Sequence, residues 1–140
     1  MNTQQKPSKA FNITLGVLQF LLAIMFIMVG LMKLSKPIDQ LSQSLPWVSQ
    51  MPEVFVRFIG ASELLGAIGL IMPALLRIKP ILTPIAAVGL ALVQLFAMIF
   101  HISRGETSVI GMNVILLLIA AFIAWGRSKK ALIAPKVRLA

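Results

Sequence analysis

A single carboxylate, Glu63, stands near the middle of an otherwise apolar stretch that runs from Val54 to Leu76. An ionisable side chain inside a membrane span costs roughly 2.5–3.5 kcal/mol on insertion scales, so it needs a partner, a proton or a function. Glu63 is therefore the first residue of this chain to consider for chemistry.

Further polar residues fall at the same depth. Glu63 lies six residues after Arg57, and Gln94 lies seven residues before His101, which puts each about 9–10 Å below one end of its helix. Asn113 lies a few residues into the last apolar stretch, whereas the inner halves of the apolar stretches carry almost nothing polar. We expect a polar pocket in the outer half, lined by Lys33, Glu63, Gln94, His101 and Asn113 and rimmed by Arg57, Arg104 and Glu106.

These side chains have a second interpretation. Polar groups buried in a membrane need partners, and residues at one depth on several helices can supply each other without doing chemistry. Lys33 alone fits a lysine that extends its amine to the interface, and His101 fits a rim residue as well as a proton relay. Arg104 with Glu106 fits an exposed pair. The sequence leaves a ligand pocket and a structural cluster both open.

Cysteine is absent and His101 is the sole histidine. One chain therefore cannot supply a thiol–disulfide relay, a thiolate-held iron–sulfur cluster or a bis-histidine haem. One imidazole and four scattered carboxylates are also poor material for a metal site. We expect no catalytic residues, no metal and no intrinsic cofactor, so redox chemistry would belong to a bound quinone or to a partner subunit.

The composition is that of a membrane protein. Hydrophobic residues make up 59% of the 140 residues and charged residues only 12%, against about 25% in soluble domains. The apolar stretches match the ~20 helical residues that cross a bilayer, and helices satisfy their own backbone groups in lipid. We predict an all-α membrane protein, an antiparallel four-helix bundle, with transmembrane helices at about 11–32, 54–76, 81–101 and 109–125.

The first loop, residues 35–53, is the longest connection. Ile38, Leu41 and Leu45 follow Pro37 at helical spacing, and Trp47 is a residue type that favours the headgroup level. This pattern predicts a short interfacial helix in the loop.

The basic residues predict the topology. With a cytoplasmic N-terminus, nine Lys and Arg residues fall inside and four fall outside, which matches the positive-inside rule. The net charge of +9 then reflects topology, and we expect no nucleic-acid partner. The expected organisation is a cytoplasmic tail (1–10), a bundle (11–126) and a basic cytoplasmic tail (127–140).

Two segments and a longer stretch carry a family resemblance. They are Gly30-Leu31-Met32-Lys33-Leu34, the run from Phe58 to Leu70 with its Gly-x-x-Glu-Leu-x-Gly core, and the stretch from Leu82 to His101 and Glu106. The chain resembles the DoxX-like family of small four-helix membrane proteins over nearly its whole length. The resemblance implies a four-helix bundle in the bacterial cytoplasmic membrane. It also implies a link to quinone-dependent sulfur oxidation and to membrane oxidoreductase assemblies.

Three functions follow as hypotheses. The first is an accessory or quinone-interacting subunit of a membrane redox system, with the bilayer, a redox protein or further copies of the chain as partners. The second is a proton-coupled exporter of small molecules, as in four-helix transporters with one intramembrane glutamate, although those carry it in the first helix. The third is a purely structural assembly protein of the membrane.

Overall fold

The computed structural model describes residues 7–136, and the expected tails at 1–10 and 127–140 fall partly outside that range. Within it the chain is helical. The elements are α1 (Lys9–Ser35), α2 (Ile38–Ser44), a 3₁₀ turn (Pro46–Gln50), α3 (Glu53–Leu76), α4 (Leu82–Ser103), α5 (Thr107–Trp125) and a π-helical turn (Gly126–Lys130).

Four of these helices, α1, α3, α4 and α5, are long and apolar enough to cross a membrane. Each is antiparallel to its neighbours, and α1 packs on α3, α3 on α4, α4 on α5 and α5 back on α1. The predicted all-α membrane bundle is confirmed. The first helix is longer than predicted, because the Ser8 hydroxyl caps its start by accepting from the Phe11 amide and because the helix continues past Lys33 to Ser35.

The bundle has a narrow apolar core and an apolar outside. Leu15, Leu70, Leu90 and Ile123 are completely buried, whereas large side chains such as Phe20 are exposed on the outer surfaces. Lipid solvates apolar side chains as well as a core does, so helix association in a membrane depends on close packing and polar contacts.

Glycines provide that close packing between α1 and α3. A Cβ atom added to Gly30 would lie 2.9 Å from the Gly60 carbonyl oxygen, and one added to Gly60 would lie 2.8 Å from the Lys33 Cβ. A second contact joins α3 to α4, where a Cβ on Gly66 would lie 2.5 Å from the Leu90 side chain.

The first loop folds over one end of the bundle. Leu41, Val48 and Val56 form a small buried cluster that joins α2 and the 3₁₀ turn to α3. Arg57 fixes the start of the loop, because its guanidinium donates to the main-chain carbonyls of Lys33 and Lys36. The predicted loop helix is therefore present as α2.

Candidate functional site

Lys33 and Glu63 form a buried ion pair between α1 and α3. The Lys33 Nζ lies 2.7 Å from each of the two Glu63 carboxylate oxygens, and the two side chains are 7% and 4% exposed. Two charges this deep in an apolar bundle are stable only when paired and hydrogen-bonded. Glu63 therefore has the cationic partner that an ionisable side chain inside a membrane span needs.

Trp47 covers this ion pair from the first loop. The Lys33 Nζ lies 5.8 Å from the centre of the Trp47 ring, within range of a cation–π interaction. The same indole packs edge-on against Phe100 and His101 of α4, with ring centres 6.0 and 6.5 Å apart. Trp47 thus bridges the ion pair and the end of α4. Sequence reasoning had assigned this residue only to the headgroup level.

His101, Arg104 and Glu106 form a second polar group at the α4–α5 turn. The Glu106 carboxylate accepts from Arg104 Nε at 2.8 Å, and its other oxygen lies 2.6 Å from His101 Nδ1. The hydrogen bond with His101 and then the one with Arg104 lower the pKa of Glu106 below its usual value. The predicted Arg104–Glu106 pair is present, and it also holds the imidazole next to Trp47.

Gln94 and Asn113 lie at the level of the ion pair, and each has a buried side-chain atom without a partner in the described part of the chain. Gly66 packs on Leu90, so Glu63 lies within about one residue of the level of Gln94 on antiparallel α4. The hairpin in which His101 contacts Glu106 puts Gln94 opposite Asn113 on α5. Among residues 7–136, the buried Gln94 Oε1 and Asn113 Nδ2 have no hydrogen-bond partner.

Seven of the eight predicted site residues therefore fall into three groups. Lys33 and Glu63 bond directly, and His101, Arg104 and Glu106 form a neighbouring cluster. Gln94 and Asn113 each have one buried side-chain atom without a hydrogen-bond partner among residues 7–136. Arg57 is a loop anchor that also pairs with Glu53. In the part of the chain that is described, no group of three or more His, Cys, Asp or Glu residues could hold a metal ion.

The expectation of an apolar inner half is wrong. Gln19 on α1 is buried and donates to the Leu70 carbonyl at 2.6 Å, one turn before Pro73. Pro73 lacks the amide that would bond to the Gly69 carbonyl, so this part of α3 has weakened internal hydrogen bonding next to the Gln19 contact. Arg127 is also buried, and its Nε donates to Gln19 Oε1 at 3.0 Å. The sequence contained both residues, but Arg127 had been assigned to a cytoplasmic tail.

Comparison with known proteins agrees with this architecture. Neither the curated proteins nor the solved structures contain a significant match. The model of the DoxX-like family matches residues 17–123, which include α3, α4, most of α1 and α5, and all eight predicted site residues, but not Arg127. This multi-pass membrane protein therefore belongs to the DoxX-like family.

Proposed function

We propose that this chain is an accessory subunit of a membrane redox system and that it binds a quinone headgroup beside the Lys33–Glu63 pair. The observation that supports the proposal is the pair of unpartnered amides, Gln94 Oε1 and Asn113 Nδ2, among residues 7–136. A buried polar atom without a partner costs about 1–3 kcal/mol, so a ligand that bonds to both atoms would be stabilised there.

The two amides match the chemistry of such a headgroup. A quinone carbonyl accepts a hydrogen bond, which the Asn113 amide can donate, and a quinol hydroxyl donates one, which the Gln94 carbonyl can accept. The isoprenoid tail would lie along the apolar outer surfaces of the helices. The electrons would belong to the ligand, and a partner protein would supply or remove them.

The two tryptophans give a direct test. Trp47 lies against Lys33 and His101, whereas Trp125 packs on Phe11 and Phe122 at the far end of the bundle. Quinones quench tryptophan fluorescence at short range. In detergent, Trp125→Phe leaves Trp47 as the sole reporter, and Trp47→Phe leaves Trp125 as the matched control.

Titration with a short-chain ubiquinone or menaquinone should quench Trp47 saturably and Trp125 only by partition into the micelle. Asn113→Leu in the Trp125→Phe background removes the amide that would donate to the quinone carbonyl, and it should weaken the saturable part while the fold is retained. Equal quenching of the two tryptophans would refute the quinone site.

A structural role is the second candidate, and the closed ion pair favours it. Both Glu63 oxygens contact the Lys33 amine, so this pair can serve as a fixed link between α1 and α3. The same closure argues against a proton-coupled exporter, in which an intramembrane carboxylate must exchange a proton with the solvent. The quenching experiment separates the structural role from the quinone site, because a purely structural cluster would give no saturable signal.

The cellular placement is part of the same proposal. The cationic residues at the start of α1, in the α3–α4 turn and after α5 support a cytoplasmic-membrane protein with both termini inside. The polar site would then face the outer leaflet, where a redox partner could dock on the first loop.

A further inference from the structure

Acidic and basic side chains are distributed unequally between the two ends of the bundle. All four acidic residues, Asp39, Glu53, Glu63 and Glu106, lie in the half of the bundle that holds the polar site, where they balance four Lys and Arg residues. The other half, here called the basic end, has no Asp or Glu side chain. Its described cations are Lys9, Arg77, Lys79, Arg127, Lys129, Lys130 and Lys136.

Arg127 differs from the other cations of the basic end because its charged side chain is buried. The residue is only 9% exposed, and its guanidinium bonds to neutral acceptors. Nε donates to Gln19 Oε1 at 3.0 Å, and Nη1 donates to Asn12 Oδ1 at 2.6 Å and to the Ala131 carbonyl at 3.3 Å. Neutral partners satisfy the donors but leave the charge, and a buried charge is costly without an anion.

An apolar groove opens beside the same π-helical turn. It has a volume of about 230 Å³ and is lined by Ile81, which precedes α4, by Pro84, Ile85 and Val88 of α4, and by Ser128 of the turn. Ile81, Pro84, Ile85 and Val88 follow helical spacing along one face, so the groove runs along the helix from the basic end towards the bilayer centre. Its apolar wall suits a hydrocarbon chain.

We propose that the π-helical turn Gly126–Lys130 and the α4 groove bind one anionic phospholipid. The phosphate lies at Lys129 and Lys130, close to Arg127, whose hydrogen-bond partners among residues 7–136 are all neutral, and an acyl chain occupies the groove beside Ser128. An anionic lipid supplies both features that the basic end lacks, a negative charge and an apolar chain along α4. Basic sites between helices at the membrane surface recognise such headgroups through the same combination.

The test uses the full chain in a mild detergent, with dioleoylphosphatidylglycerol as the probe and dioleoylphosphatidylcholine as the zwitterionic comparison. Native mass spectrometry measures the bound lipid, and thermal unfolding measures the stabilisation. Phosphatidylglycerol should be retained and should raise the Tm, whereas phosphatidylcholine should do neither. Inorganic phosphate should give no stabilisation, because it has no chain for the groove.

The variants locate the site. Lys129→Gln and Lys130→Gln change exposed side chains, and each should lower the affinity for phosphatidylglycerol about fivefold, the effect expected of one cation at an anionic lipid surface. Lys36→Gln removes an exposed cation at the opposite end and should leave the affinity unchanged. Arg127→Lys keeps the charge and should retain the lipid.

Three results would overturn the proposal. They are equal retention of the two lipids, an equal loss of affinity in Lys36→Gln, and equal stabilisation by inorganic phosphate. The last would indicate a free-anion site instead of a lipid site.

Discussion

Gly30 and Gly60 meet at the crossing of α1 and α3, and each lies three residues before one member of the Lys33–Glu63 ion pair. Three residues are nearly one helical turn, so the glycine contact and the ion pair lie on the same faces of the two helices. The small residues bring the backbones together, and the short distance between the backbones lets Lys33 reach both carboxylate oxygens. Packing and electrostatics at this site are therefore one structural feature.

Gly60→Ala should destabilise the bundle. The added Cβ would lie 2.8 Å from the Lys33 Cβ and 3.0 Å from the Gly30 carbonyl oxygen, so the helices must separate. We expect a loss of about 1–3 kcal/mol in the free energy of unfolding, measured by denaturation in detergent. Gly89→Ala is the matched control, because nothing lies within 4 Å of its added Cβ. Equal effects of the two substitutions would contradict the close crossing.

Removing one member of the ion pair should cost more than removing both. Glu63→Gln leaves the Lys33 ammonium buried without an anion, and we expect a loss of about 3–5 kcal/mol in the free energy of unfolding. The double variant Lys33→Met with Glu63→Met removes both charges and should unfold closer to the wild type. With the single variants Lys33→Met and Glu63→Met, this double variant completes a double-mutant cycle, and thermal or chemical denaturation measures the coupling. Additive effects would mean that the two residues do not interact.

The hydrogen bonds of Glu106 predict that the α4–α5 turn contributes less to the stability of the fold at acidic pH. Hydrogen bonds from His101 and Arg104 lower the pKa of Glu106 below the usual 4.5. A carboxyl group with a lowered pKa in the folded state stabilises the fold above its unfolded pKa, and that contribution is lost as the pH falls through the folded pKa. The Tm difference between the wild type and Glu106→Gln should shrink on acidification below about pH 4.5. A difference that grows on acidification would contradict this sign.

The charge distribution predicts the orientation. Reporter fusions placed after Pro80 should give a cytoplasmic signal, and fusions placed after Glu106 should give an extracytoplasmic one, because the α3–α4 turn is cationic and the α4–α5 turn is balanced. Arg77→Glu with Lys79→Glu weakens the bias from nine against four to seven against four, and it should raise the fraction of inverted chains. An extracytoplasmic signal at Pro80 in the unchanged chain would place the polar site on the cytoplasmic side.

Some features of this protein are determined by the sequence alone. The lengths of the apolar stretches specify four spanning helices, because a helix is the only way to satisfy a backbone in lipid without neighbours. The depth of Glu63, Gln94 and Asn113 also follows from the sequence, since the rise per residue is constant and short turns fix where each helix starts. The small helix of the first loop was predictable from Pro37 and the apolar spacing that follows it.

The tertiary structure decided which of these residues are partners. From the sequence alone, Lys33 fits an interfacial lysine. In the structure, the Gly30–Gly60 crossing places Lys33 against Glu63 inside the bundle. Trp47 covers the pair because Arg57 anchors the first loop to the end of α1. In these two contacts Arg57 is 24 positions from Lys33 and 21 positions from Lys36 along the chain. Arg127 is separated by 108 residues from Gln19, and only the closure of α5 against α1 buries it. Periodicity specifies the face and depth of a side chain, whereas the neighbour across an interface depends on how the helices cross.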